Sequence, residues 1–137
     1  MIRVMVVDDH AYVRAAVTVL LNGTDGIQVV GECADGAEVP GMAAAVHPDV
    51  VLMDIQMPIT PGTDATRELM ITHPATRVLM LTGSITAHLL TESAEAGAVG
   101  FLVKGGGRAQ LIDAVRTVAA GGTAWPAEPG LVSQGGN

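Results

Sequence analysis

Cysteine occurs once in these 137 residues, and Phe, Tyr and Trp once each. The lone Cys33 excludes an internal disulfide and fits a reducing compartment; its place in a strand-like run marks it as core filling. Long hydrophobic runs are missing. None approaches the roughly 20 residues that span a bilayer, and the opening run is followed by acids rather than by a signal-peptide cleavage site. A cytoplasmic chain with no membrane partner is expected. Basic residues are scarce as well: 7 Lys and Arg face 14 acids, for a net charge of -7, and Lys104 is the only lysine. Such a surface repels nucleic acid, so direct nucleic-acid binding by this segment is not expected. With so few aromatics and 49% hydrophobic residues, the core must be built from Val, Leu, Ile, Met and Ala, the usual filling of an α/β domain.

What the chain does have is a set of short apolar runs that end in functional side chains. Ile2 to Val7 ends in Asp8 and Asp9, Val50 to Met53 in Asp54, Arg77 to Leu81 in Thr82, and Val99 to Val103 in Lys104. Short β-rich apolar runs read as parallel strands covered on both faces, which open to solvent only at their carboxyl ends. Three acids, a hydroxyl and an ammonium therefore share one edge.

Between these runs lie helix-like stretches of roughly ten to fourteen residues, the alternation expected of βαβ units. Strands are predicted over Ile2 to Val7, Ile27 to Cys33, Val50 to Met53, Arg77 to Leu81 and Val99 to Val103. Helices are predicted over Ala11 to Asn22, Pro40 to His47, Asp64 to His73, Thr86 to Ala96 and Arg108 to Ala120. The pair Pro40-Gly41 suits no helix interior, so the second helix starts at Pro40 or kinks there. Five such units predict a flavodoxin-like (βα)5 doubly wound parallel sheet of order 2-1-3-4-5, whose ligand site falls at the switch point between strands 1 and 3. The domain is expected over residues 1–122, with 123–137 a linker-like tail and no effector domain.

Carboxylates this close repel one another, and an empty site would hold a proton or a raised pKa. A divalent cation removes the conflict. All-oxygen ligation by one or two carboxylates, a carbonyl and waters suits Mg²⁺, and no thiol or histidine cluster offers a zinc site. Beside Mg²⁺, an ionised carboxylate can attack a phosphoryl group, while Lys104 and Thr82 bind its oxygens.

At this point the residues resemble a family: the receiver domain of two-component response regulators. The motifs are Val6-Val7-Asp8-Asp9-His10, Asp54-Ile55-Gln56-Met57-Pro58, Leu81-Thr82 and Gly97-Ala98-Val99-Gly100-Phe101-Leu102-Val103-Lys104. In this order and spacing they form a specific set, and the first and last look most like the NarL/FixJ (LuxR-type) group. The resemblance implies that Asp54 is the phosphoacceptor and that Asp8, Asp9, Asp54 and the Gln56 carbonyl hold Mg²⁺. It makes Thr82 the switch hydroxyl, Phe101 the aromatic that follows it and Lys104 the partner of the phosphoryl oxygens. Gln56 and Ser84 would tune phosphoryl loss; neither is acidic, which implies a fairly long-lived phosphorylated state. A sensor histidine kinase, or a small phosphodonor, would supply the phosphoryl group. The output would be a phosphorylation-dependent homodimer through helix 4, strand 5 and helix 5, or through helices 1 and 5. Such a chain is not an enzyme beyond its own phosphorylation and dephosphorylation. The tail favours a receiver cut from a longer transcription factor over a natural single-domain regulator.

Ile59-Thr60-Pro61-Gly62 departs from the family's usual Gly-Met-Asp-Gly and puts the shape of that loop in question. Plainer readings stand beside the functional ones. An acid at a strand end is often a helix cap, and Phe101 serves equally as packing. His10 reads as a solvent-facing residue at the start of helix 1, with a group at the edge of the site as the alternative, His47 and His73 as turn residues, and His88 as exposed. Gly105-Gly106-Gly107 lacks the Gly-Lys-Ser/Thr of a phosphate loop and reads as a link to helix 5. Trp125 would pack the tail or lie in an interface. A Mg²⁺-dependent phosphohydrolase would need the Asp-x-Asp pair that the adjacent Asp8 and Asp9 do not form. A phosphorylation-independent interaction module remains the alternative.

Overall fold

Along the first strand, burial falls on four consecutive residues, Val4 to Val7, instead of on alternate ones. A half-exposed strand would alternate; this one is covered on both faces. The computed structural model describes residues 1–126 and gives five parallel strands: β1 (Ile2–Val7), β2 (Ile27–Cys33), β3 (Val50–Asp54), β4 (Arg77–Thr82) and β5 (Gly100–Val103). They are ordered β2-β1-β3-β4-β5. The helices are α1 (Ala11–Asn22), α2 (Val39–Val46), α3 (Gly62–Thr72), α4 (Ala87–Ala96) and α5 (Arg108–Ala119). The flavodoxin-like doubly wound sheet is the one expected.

Two apolar layers hold it. On one face Met5, Val7, Val51, Met53, Val78, Met80 and Phe101 pack with Val39 and Ala43 of α2, Leu69 of α3 and Leu90 of α4. On the other, Val4, Val6, Leu52, Leu79 and Leu102 pack with Leu21 of α1 and Ala114, Val115 and Val118 of α5. Val115 and Val118 thus face the sheet, and Leu111 and Ile112 lie half-buried at its margin. Cys33 is buried in the first layer, and burial pushes its thiol up to about 11. It is inert core.

The boundaries differ from the sequence reading where capping decides. The second helix begins at Val39, behind a 3-10 turn over Gly36–Glu38, with Pro40 inside its first turn, where a missing N–H costs nothing. It ends one residue earlier than expected, because His47 takes a left-handed conformation with φ 48°. The third helix starts earlier, at Gly62. A Cβ there would sit 2.1 Å from the carbonyl oxygen of Asp54, so only glycine lets the helix begin against the end of β3. Thr86 caps α4, its hydroxyl accepting the Leu89 N–H at 3.1 Å, and is not part of the helix.

Ala124, within the expected tail, is joined to the sheet. Ala124 bridges Gly100 in parallel, donating to the Val99 carbonyl and accepting from the Phe101 N–H, both at 3.0 Å. The guanidinium of Arg77 donates to the carbonyls of Gly121 and Gly122. The chain therefore makes a single parallel bridge to the outer edge of β5 at Ala124. Trp125 is 37% exposed; residues 127–137 of the expected tail lie outside the described residues.

Candidate functional site

The carboxyl ends of β1, β3, β4 and β5 meet where the strand order reverses, and each delivers the side chain that its sequence run ends in. Asp8 is 1% exposed, Asp54 2% and Thr82 1%. Ligand atoms of Asp8, Asp9, His10 and Asp54 all lie within 4.8 Å of one another. Lys104 reaches in from β5, its Nζ 2.9 Å from Asp8 Oδ2 and 3.1 Å from Asp54 Oδ2. One ammonium thus bridges two nearly buried carboxylates.

That arrangement leaves negative charge in excess. Burial, then repulsion from Asp8, push the Asp54 carboxyl up to about 6; Lys104 limits the rise. Desolvation works against the Lys104 ammonium, but its contacts with Asp8 and Asp54 outweigh it and leave its pKa raised. Asp9 Oδ1 is shut off from solvent and receives no hydrogen bond; His10 Nδ1 lies 3.3 Å away. An orphaned, buried carboxylate oxygen among two other acids fits a hard divalent cation, so the donor set passes this test for an oxygen-ligated metal.

The loop after β3 is fixed at both ends. Ile55 donates to the Leu81 carbonyl at 3.1 Å and Gly62 to the Ile55 carbonyl at 2.8 Å. Gln56 is exposed, with its N–H 3.3 Å from Asp54 Oδ1. With His10, Val13, Asp54, Gly83 and Lys104 it lines an open pocket of about 240 Å³. Thr82 sits beside Lys104 along the backbone, the Lys104 N–H donating to its carbonyl at 2.7 Å. Its hydroxyl is turned to its own loop, donating to the Ser84 carbonyl at 3.0 Å. Phe101 is fully buried in the α3–α4 layer, and Ser84 is exposed beyond the site. The structure therefore brings together the acids, Lys104 and Gln56; the Thr82 hydroxyl and the Phe101 ring lie alongside without touching them.

These groups and this fold place the chain with known proteins. It matches the response regulator receiver domain family over residues 4–116. The chain belongs to that family. It is 45% identical to the response regulator GacA of Pseudomonas viridiflava over 121 residues, 88% of this chain and 56% of that one. A solved two-component response regulator of the LuxR family from Aurantimonas sp. SI85-9A1 superposes with a TM-score of 0.86 at 33% identity, covering 96% of this chain and 92% of that one. The receiver domain of the putative response regulator NarL from Mycobacterium tuberculosis gives 0.83 at 33% identity, covering 88% and 97%. This receiver is thus of the NarL/FixJ type, and it spans about half the length of the curated relatives it matches.

Some groups of this receiver escape a reading of the sequence. His10 does expose most of its ring, but its Nδ1 lies 3.2 Å from Asp8 Oδ1, which puts it on the rim of the site. Arg14, one helical turn on, donates to the Asp8 carbonyl at 2.6 Å and pairs with Glu32. A base four residues after a site-edge histidine at the start of a helix is the available signal. Asp35 reads in the sequence only as a turn residue. It is 6% exposed, and the Asp-x-x-Glu spacing of Asp35 and Glu38 is a helix-start signature: Asp35 accepts from Ala37, and Glu38 accepts the Ala34 N–H at 3.1 Å. Among the described residues no helix is long and apolar enough to cross a membrane.

Proposed function

We propose that this receiver accepts a phosphoryl group on Asp54 and converts it into a change of surface. The observation that carries the reading is Lys104 Nζ held between Asp8 and Asp54 in a cluster where ligand atoms of Asp8, Asp9, His10 and Asp54 lie within 4.8 Å of one another. Asp8, Asp9, Asp54 and the Gln56 carbonyl would hold Mg²⁺. When bound, Mg²⁺ supplies the positive charge that offsets the acids and an incoming phosphoryl group.

An Asp54 carboxylate oxygen attacks phosphorus; the bond from phosphorus to a kinase's histidine nitrogen breaks, a P–O bond forms and the histidine takes up a proton. The ionised Asp54 carboxylate is the attacking form, and the Lys104 ammonium 3.1 Å from its Oδ2 favours that form. Lys104 follows the charge from carboxylate to phosphoryl oxygens. Thr82 completes the oxygen shell once its hydroxyl leaves the Ser84 carbonyl, and Phe101 moves into the space vacated. Gln56 and Ser84 offer no carboxylate to orient an attacking water, which supports a slow loss of the phosphoryl group.

The partners in this reading are a sensor histidine kinase in the cytoplasm and a second copy of the chain, with no direct contact to nucleic acid. An apolar groove of about 320 Å³ between α1 and α5, lined by Val13, Ala16, Val17, Leu20 and Leu111, supports α1 and α5 as the dimer face. Residues 1–122 are the receiver in this reading, and the chain beyond residue 122 leads to an effector that controls transcription in the longer protein. Intact mass and size-exclusion chromatography with Mg²⁺ and acetyl phosphate, beside Asp54→Asn, test it. One added phosphoryl group on the native chain alone, with a shift toward dimer, is expected. No added mass from acetyl phosphate or from a histidine kinase would leave the phosphorylation-independent interaction module.

A further inference from the structure

The loop between β3 and α3 carries the acceptor Asp54 at its start and the Gln56 carbonyl just after it, but its crown is short of hydrogen-bond donors. Pro58 and Pro61 have no N–H, which leaves Ile59 and Thr60 between them. Both donate to one side chain across the sheet edge. Asp35 Oδ1 accepts from Ile59 and from Thr60 at 3.3 Å each, and Asp35 Oδ2 from Thr60 at 3.1 Å and from Ala37 at 2.8 Å. The two loops are also in close contact: a Cβ on Gly36 would meet the Thr60 carbonyl oxygen at 2.6 Å and Ala65 Cβ at 3.0 Å. Capping alone would need only the Ala37 bond. The bonds to Ile59 and Thr60 join residues 24 and 25 apart in sequence.

We propose that Asp35 is a positioning residue for phosphorylation: by holding the Ile59 and Thr60 amides it fixes the loop that presents the Gln56 carbonyl to the cation. The inference rests on the reading of Asp54 and Mg²⁺ given above. Asp35 is not among the clustered acids, so it acts through the loop. The departure from the family's usual sequence at Ile59-Thr60-Pro61 makes this support specific: a stiff turn between two prolines must be set in the right place from outside.

The test is MgCl₂ titration calorimetry on the native chain, Asp35→Ala, Asp35→Asn and Asn22→Ala, where circular dichroism shows each folded, followed by acetyl phosphate labelling read by intact mass. Asn22 is the control, because its side chain also accepts a distant backbone N–H, that of Val29 at 2.8 Å, but away from the site. Asp35→Ala is expected to weaken Mg²⁺ binding about 10-fold, with labelling at saturating Mg²⁺ within roughly 2-fold of native, as for other outer supports of a metal site. Asp35→Asn keeps an acceptor and should recover part of the affinity; Asn22→Ala should bind like native. Native affinity in Asp35→Ala, or in Asp35→Asn should the alanine variant not fold, would overturn the proposal, as would an equal loss in Asn22→Ala. A native chain that neither binds Mg²⁺ nor gains a phosphoryl group sinks the underlying reading instead, and that is read without any variant.

Discussion

Asp54 is costly to the fold, and replacing it should make the metal-free protein more stable. Its carboxyl is raised from an ordinary 3.8 to about 6, first by burial and then by Asp8. The folded state therefore holds a proton that the unfolded chain releases at lower pH. Stability is unaffected below about pH 4, falls as pH rises to about 6 and is level above that. A shift of two units corresponds to about 3 kcal/mol. Lys104 is already counted in that shift, but Asn also loses the charged contact at 3.1 Å, so a gain of about 1–3 kcal/mol is expected for Asp54→Asn at pH 7.5. Urea unfolding in EDTA from pH 4 to pH 8 measures it. The advantage of the variant should vanish near pH 4, and 1 kcal/mol corresponds to roughly 3–5 °C in melting temperature for a domain of this size. Equal stability of the two proteins at pH 7.5, or a gain that persists unchanged at pH 4, would refute the electrostatic account.

Lys104→Met leaves Asp8 and Asp54 facing each other without the bridging ammonium; the loss of stability should be about 1–3 kcal/mol at pH 7.5 and smaller at pH 5, where Asp54 can take a proton. Urea unfolding at the two pH values checks the difference. Gly62→Ala drives a methyl group into the Asp54 carbonyl, 2.1 Å away, and should cost about 3 kcal/mol or more, read as a fall in melting temperature. Ala124→Pro removes the N–H that binds the Val99 carbonyl and frees the edge of β5; about 1 kcal/mol is expected, with faster amide exchange at Phe101, whose N–H donates to Ala124. Unchanged exchange there would show that the Ala124–Gly100 bridge is not maintained in solution.

Much of this fold can be read directly because apolar runs in a parallel sheet are unbroken: all five strands fall within a residue of the expected bounds. Helix starts are harder, since they depend on contacts distant in sequence. Gly62 begins α3 because of the Asp54 carbonyl, and the 3-10 turn before α2 is held by Asp35, which also serves a loop 24 residues on. The site acids are legible for the same reason as the strands, as each ends one. The direction of the Thr82 hydroxyl is not, because it is set by the loop geometry that brings the Ser84 carbonyl within 3.0 Å. The bridge at Ala124 is not legible, because Gly, Pro and Thr around it read as linker whether or not one residue pairs with the sheet. Ala124 is distinguished only by what lies opposite it, Gly100, which has no side chain to push it away.

In the proposed switch, the bond from Thr82 to the Ser84 carbonyl is what the phosphoryl group must break, and a single neutral hydrogen bond is worth only about 0.5–1.5 kcal/mol net. The barrier to switching then lies less in that bond than in the backbone that must turn with it. Gly83 is the joint. It lies between Thr82 and Ser84, and nothing stands within 4 Å of where its Cβ would be, so Gly83→Ala introduces no clash in the resting state. By narrowing the backbone freedom of the loop, the methyl group should stabilise the resting protein by about 0.4–1 kcal/mol while hindering the turn that brings Thr82 to the phosphoryl oxygens. The variant should melt slightly higher, take up phosphoryl from acetyl phosphate as the native chain does, and dimerise less once modified. Full dimerisation with a raised melting temperature would place the joint elsewhere in the loop, and a lowered melting temperature would mean that the resting backbone at Gly83 is one that alanine resists.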